Sequence, residues 1–175
     1  AAPFLCLSGF IAFFFRDPER FPPTDSRYLV SPGDGKVVFV GAVQDNPSLV
    51  QVSIFLSIFD VHINRSPLTA MVENIQYMPG SYFPAYKDIA GRRNERNEVT
   101  LVDGGFKVIV RQIAGVVARR IICTVSENDR VKRGERFGLI QFGSRMEVLL
   151  PSSVKLCVQI GDRVRGGESV IAERL

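Results

Sequence analysis

At 175 residues, with 46% apolar and 23% charged side chains, the chain has the size and composition of one folded domain, and nothing in it is depleted enough in apolar residues to be disordered. Its 22 Lys and Arg against 18 Asp and Glu leave a charge of +4, which favours an anionic partner. Three scattered cysteines without a CxxC pair and a single histidine argue against a disulfide scaffold and against a metal site. Most of the 13 Phe lie in apolar runs rather than among basic residues, which points away from nucleic acid and toward lipid.

The chain opens on AAPFLCLSGFIAFFF, fifteen uncharged residues followed at once by Arg16, Asp17, Glu19 and Arg20. Such a run is shorter than the ~20 residues that span a bilayer, and we read residues 1–20 as the end of a membrane anchor. The basic residues after it, Arg16, Arg20, Arg27 and Lys36, would hold the remainder, a single domain over 21–175, on the cytoplasmic face of the cell membrane. Pro18, Pro22, Pro23 and Pro32 mark an extended lead-in.

From there the apolar pattern is short and rich in β-branched residues. Strands are expected at 36–43, 49–58, 70–77, 98–102, 106–112, 116–125, 137–142, 146–150, 154–160 and 169–172, with short helices around 56–64 and 82–91. The fold class is therefore mainly β, α+β with few helices. DRVKRGE at 129–135 and DRVRGGE at 162–168 agree at five of seven positions. This internal repeat resembles the paired strand-turn units of barrel-sandwich hybrids, the biotinyl and lipoyl carrier fold. It predicts a hairpin between the copies that carries Phe142-Gly143-Ser144-Arg145.

Five separated strings, in this order, resemble the phosphatidylserine decarboxylase family, in its short archaeal-type branch: FFRDPER at 14–20, SPGDGKV at 31–37, FLSIFDVHINRSP at 55–67, NERN at 94–97 and FGSR at 142–145. The resemblance spans nearly the whole chain and implies self-cleavage between Gly143 and Ser144, giving fragments 1–143 and 144–175 that stay associated. Ser144 would become a covalent pyruvoyl cofactor that accepts electrons as a serine phospholipid loses carbon dioxide. The lipid is phosphatidylserine or its archaeal ether analogue, and no metal is implied.

By the same resemblance His62 supplies the proton that replaces carbon dioxide, a task that suits imidazole. Asp34 would orient a histidine during self-cleavage. Arg65 stands where many bacterial members carry a second histidine, so either His62 serves both steps or another base drives maturation. Asn94, Glu95 and Arg96 are implied to lie near the substrate. The implied partners are the serine phospholipid, an anionic membrane surface and a possible second copy of the chain.

Two other readings compete. One is a non-enzymatic module, a membrane scaffold or a carrier, in which Ser144 never matures; a lipoyl- or biotinyl-like carrier would want an exposed lysine between the repeat units, and Ser144 and Arg145 stand there instead. A serine hydrolase would want Gly-x-Ser-x-Gly, and position 146 is Met.

Overall fold

A computed structural model describes residues 2–44, 46–116, 120–141 and 143–175. Its centre is an eight-stranded, wholly antiparallel sheet. The strands are β2 (Gly35–Val43), β3 (Asn46–Leu56), β5 (Ala70–Met78), β6 (Arg96–Asp103), β7 (Phe106–Ile113), β9 (Arg130–Val131), β11 (Ser144–Pro151) and β13 (Arg163–Val164), in the order β13-β2-β3-β11-β7-β6-β5-β9. Two three-stranded sheets complete it. One orders β1 (Tyr28–Val30), β14 (Val170–Glu173) and β12 (Lys155–Leu156), and the other orders β4 (Ile63–Arg65), β10 (Arg136–Ile140) and β8 (Ile121–Cys123).

Alternation along the central strands decides what lies on each face. Val52, Ile54 and Leu56 of β3, Val108 and Val110 of β7, and Met146, Val148 and Leu150 of β11 share one face and form the core with Val37, Val99 and Ile171. Each fully buried aliphatic side chain contributes about 2 kcal/mol. The opposite face carries Ser53, Arg111, Arg145 and Glu147, and the short α2 (Asp88–Arg93) lies over it. Gly91 of α2 sits so close that a Cβ there would be 2.7 Å from Glu147 Oε1. Both faces of β11 are therefore covered, which is why seven of its eight residues are buried.

The repeat is a local two-fold pattern wider than its seven residues. Asp129 Oδ2 accepts from Ser126 N–H and Asp162 Oδ2 from Gln159 N–H, at 2.8 and 2.9 Å. Gly134 and Gly167, at φ +79° and +81°, each donate N–H to a serine carbonyl at 2.8 Å, of Ser66 and Ser31 respectively. Those serines open two Ser-Pro turns that reciprocate, Val30 N–H donating to Pro67 O and Arg65 N–H to Pro32 O. The left-handed φ explains the glycine in each copy.

The expected mainly β architecture is present, and most long strands lie where the alternation placed them. The hairpin around the cleavage pair is not. β10 pairs with β4 and β8, whereas β11 pairs with β3 and β7, so the strand before the cleavage pair and the strand that begins at Ser144 lie in different sheets. Residues 57–60 form a turn instead of a helix, because Ser57 N–H and Oγ–H both donate to Asp60 Oδ2. The strand expected at 116–125 is reduced to Ile121–Cys123, with 117–119 outside the described residues, as is Phe142. Four short strands went unforeseen, β1, β4, β9 and β13, since two or three residues cannot display a period of two.

The apolar start is α1 (Ala2–Phe14), uncharged and exposed at Phe4, Leu5, Leu7, Ile11 and Phe13. No helix among the described residues is long and apolar enough to cross a membrane. Among the described side chains of α1, the buried one is at its C-terminal end. Phe14 is buried, and the Arg16 guanidinium donates to Phe13 O and Phe59 O.

Candidate active site

Ser144 begins β11 opposite Leu56 of β3 and is fully buried, and its Oγ has no hydrogen-bond partner. A buried hydroxyl without a partner costs free energy, so the strand retains it against its own stability. Gly143 has φ +63°, and a Cβ there would meet nothing within 4 Å. The left-handed backbone, not crowding, therefore requires glycine at this position. Its carbonyl lies against Gly115, where a Cβ would come within 1.7 Å of Gly143 O.

His62 sits just before β4 and is 2% exposed. Its Nδ1 lies 2.9 Å from Asp60 O, and a carbonyl only accepts, so Nδ1 carries the hydrogen. In the neutral ring Nε2 is then the bare nitrogen, and it is buried without a partner. Phe14 covers the ring at 4.3 Å between centroids. Burial pushes the imidazole below its ordinary value of 6.5, against the raising influence of Asp60, so near pH 7 it is neutral. Ile140 N–H donates to His62 O, and Ser144 follows Ile140 by four residue steps, at most about 14 Å of chain.

Asp34 is not brought to His62. Its Oδ1 accepts from Gly166 N–H at 2.7 Å and its Oδ2 pairs with Arg20 at 2.8 Å, while Arg20 also holds Glu168 at 3.1 Å. Thr69 does the corresponding job in the second Ser-Pro turn, where its Oγ1 accepts from Arg133 N–H. Burial raises the Asp34 carboxyl above its ordinary value, opposed by the Gly166 N–H and by Arg20. The turn so tied lays Gly33 against Met146 and Leu56, immediately beside Ser144. In this structure the Asp34 carboxylate therefore clamps the turn behind the serine, while His62 Nδ1 is held by Asp60 O. Asp34→Ala should leave Arg20 with Glu168 as its remaining acidic partner and free the turn, costing about 3 kcal/mol, and a thermal melt should fall by roughly 10 °C.

Arg65 is also committed. Its guanidinium donates to Asp17 Oδ1, Pro18 O and Gly134 O at 2.9–3.0 Å, which binds the lead-in segment to the repeat.

Asn94 is fully buried and spends its amide on backbone: Nδ2–H donates to Phe83 O and Ala114 O, and Oδ1 accepts from Phe83 N–H. Glu95 accepts Ala114 N–H with its carbonyl and the Tyr82 hydroxyl with its carboxylate. Together they fix Ala114, the residue before Gly115, and hence the shelf under the Gly143 carbonyl. Arg96 lies in register with Ile113 and through it with Arg145, on the sheet face away from Ser144, where it meets Glu98. Sequence reasoning missed Asp60, Gly115 and a buried amide chain. In that chain Asn97 donates to Gln112, Gln112 to Asn64, and Asn64 to His62 O. The polar residues at strand positions 97 and 112 were its only trace in the sequence.

A model of the phosphatidylserine decarboxylase family matches residues 7–172. Proteins named phosphatidylserine decarboxylase proenzyme are similar along most of the chain. That of Symbiobacterium thermophilum is 48% identical over 171 residues, covering 94% of this chain and 79% of its own. That of Chlorobium chlorochromatii is 44% identical over 165 residues, covering 93% and 78%. That of Solibacter usitatus is 45% identical over 175 residues, covering 100% and 84%. A Gly-Ser pair whose serine is buried without a partner, and a buried neutral imidazole, on a chain matched by this family model from residue 7 to 172 and 44–48% identical to those proenzymes, lead to one conclusion: the chain belongs to the phosphatidylserine decarboxylase family.

Proposed function

We propose that this chain cuts itself between Gly143 and Ser144 and then decarboxylates phosphatidylserine, or a serine phospholipid with ether chains, to the ethanolamine phospholipid. One observation carries the reading: Ser144 Oγ and His62 Nε2 are both buried and both lack a hydrogen-bond partner, and the strand that leads to Ser144 holds His62 O through Ile140 N–H. Proteins seldom leave two such groups unsatisfied without use for them.

Self-cleavage starts when Ser144 Oγ loses its proton and attacks the Gly143 carbonyl carbon; the peptide C–N bond breaks and an ester forms. Loss of the Ser144 Cα proton then expels the Gly143 carboxylate and leaves dehydroalanine, whose enamine takes up water and releases ammonia to give a ketone. His62 Nε2 is the base assigned to the first proton, since Arg65 is a cation already bound to Asp17. The ketone suits the site, because converting Ser144 breaks no side-chain hydrogen bond. A pyruvoyl group at residue 144 supplies an electron sink for decarboxylation. His62 then holds the proton that replaces carbon dioxide. Fragment 144–175 stays in place because β11 is hydrogen-bonded on both sides, to β3 and β7.

The exposed apolar side chains of α1 and Phe59 form the surface we assign to the lipid, at the cell membrane with the domain on its cytoplasmic side. Phe14 lies between that surface and His62, so a lipid head group entering along α1 arrives at the imidazole.

Gly115→Ala should drive a methyl group into the Gly143 carbonyl. Displacing that carbonyl by even a fraction of an ångström should slow fragment formation by about a hundredfold, followed by gel after rapid purification. The activity itself is tested with vesicles of phosphatidylserine. The purified protein should release carbon dioxide and accumulate ethanolamine phospholipid, and its small fragment should resist N-terminal sequencing. An intact chain with a free serine and no carbon dioxide would refute the proposal.

A further inference from the structure

The face of β11 that turns away from Ser144 has chemistry of its own. A cleft of about 670 Å³ opens there, lined among others by Arg145, Glu147, Arg111, Arg92, Phe39 and Ala42. Arg145 is 3% exposed. Its Nη2 donates to Ser53 Oγ and its Nε lies 2.9 Å from Glu147 Oε1, but its Nη1 is buried with no partner. Arg111 is shared between Glu98 and Glu147, and Arg96 also leans on Glu98. Exposed Arg92, on α2 at the rim, donates to Gln44. Three guanidinium groups, of Arg96, Arg111 and Arg145, thus share two carboxylates, Arg92 adds a fourth beside them, and Arg145 Nη1 is left without an acceptor.

A buried charged donor without an acceptor is costly, and the remedy is an anion with oxygens to spare. We propose that this cleft binds a phosphate-class oxyanion, with Arg145 Nη1 and the Arg92 guanidinium as its donors. Phosphate geometry suits paired guanidinium groups. Phe39 and Ala42 at the same cleft offer apolar surface beside the charge, so the phosphate can be free or can belong to a phospholipid head group. The site is separate from the proposed reaction centre, because residues 144 and 145 of one strand point to opposite faces.

The test is calorimetric titration of the purified protein with inorganic phosphate at fixed ionic strength in chloride. Saturable binding is expected for the wild type and equally for Ser144→Ala. Arg92→Glu, at an exposed helix position, and Arg145→Lys, which keeps the charge, should each weaken it roughly tenfold or more. If Arg145→Lys does not fold, Arg92→Glu decides. Dihexanoyl phosphatidylglycerol, below its micelle concentration, is then added. Displacement of phosphate identifies a lipid head group as an occupant, and failure to displace identifies free phosphate; both keep the site. Absence of saturable phosphate binding, or wild-type affinity in Arg92→Glu, would overturn it.

Discussion

Ser144→Ala should leave the 19.5 kDa chain whole, with carbon dioxide release from phosphatidylserine vesicles below detection, whereas the wild type should separate into fragments 1–143 and 144–175. No other group takes over, because the ketone is made from the serine itself. The same substitution should not weaken the fold. It deletes a buried hydroxyl that bonds to nothing, so removing it relieves a desolvation cost of about 1 kcal/mol. A variant that melts no lower than the uncut wild-type chain, yet never cleaves, assigns Ser144 to chemistry rather than to packing. Mass analysis showing normal fragments from Ser144→Ala would end the assignment.

His62→Gln should reduce decarboxylation by roughly 10²- to 10⁴-fold, the usual contribution of a positioned general acid or base. Glutamine keeps a polar group near Asp60 O and Phe14, so the loss reads proton transfer more than packing. Following fragments and carbon dioxide separately divides the roles. If His62 serves both steps the variant stays uncut, and if it serves only the second, fragments form without turnover. Wild-type carbon dioxide release would refute both.

The buried imidazole also predicts a pH dependence of stability. Its folded pKa lies below 6.5, so below that pH the unfolded chain binds more protons than the folded one. Stability contributed by neutral His62 is complete above 6.5 and is lost as the pH falls through that value toward the folded pKa. Urea midpoints measured from pH 7.5 to 5 should show this decline, and His62→Gln should flatten it.

The sequence by itself determined the mainly β class, most of the long central strands and the repeat, and it singled out the two residues to which the proposed chemistry is assigned. Those strands were legible because alternation of Val, Ile and Leu with polar residues is a local signal, as in residues 98–102 and 106–112. Ser144 and His62 were legible because each stands in a short string that resembles the family. The tertiary structure alone decided what surrounds them. Asp34 looked like a triad member, yet its carboxylate is consumed by Arg20 and by Gly166, residues distant in sequence that only the folded repeat brings together. Gly115 looked like any loop glycine until its Cα was found against the Gly143 carbonyl. Asn94 and Glu95 became supports for that shelf, and Arg96 fell on the far face because register, set across three strands, fixes the side to which each residue points. Local pattern specifies which residues alternate; long-range pairing specifies what they meet.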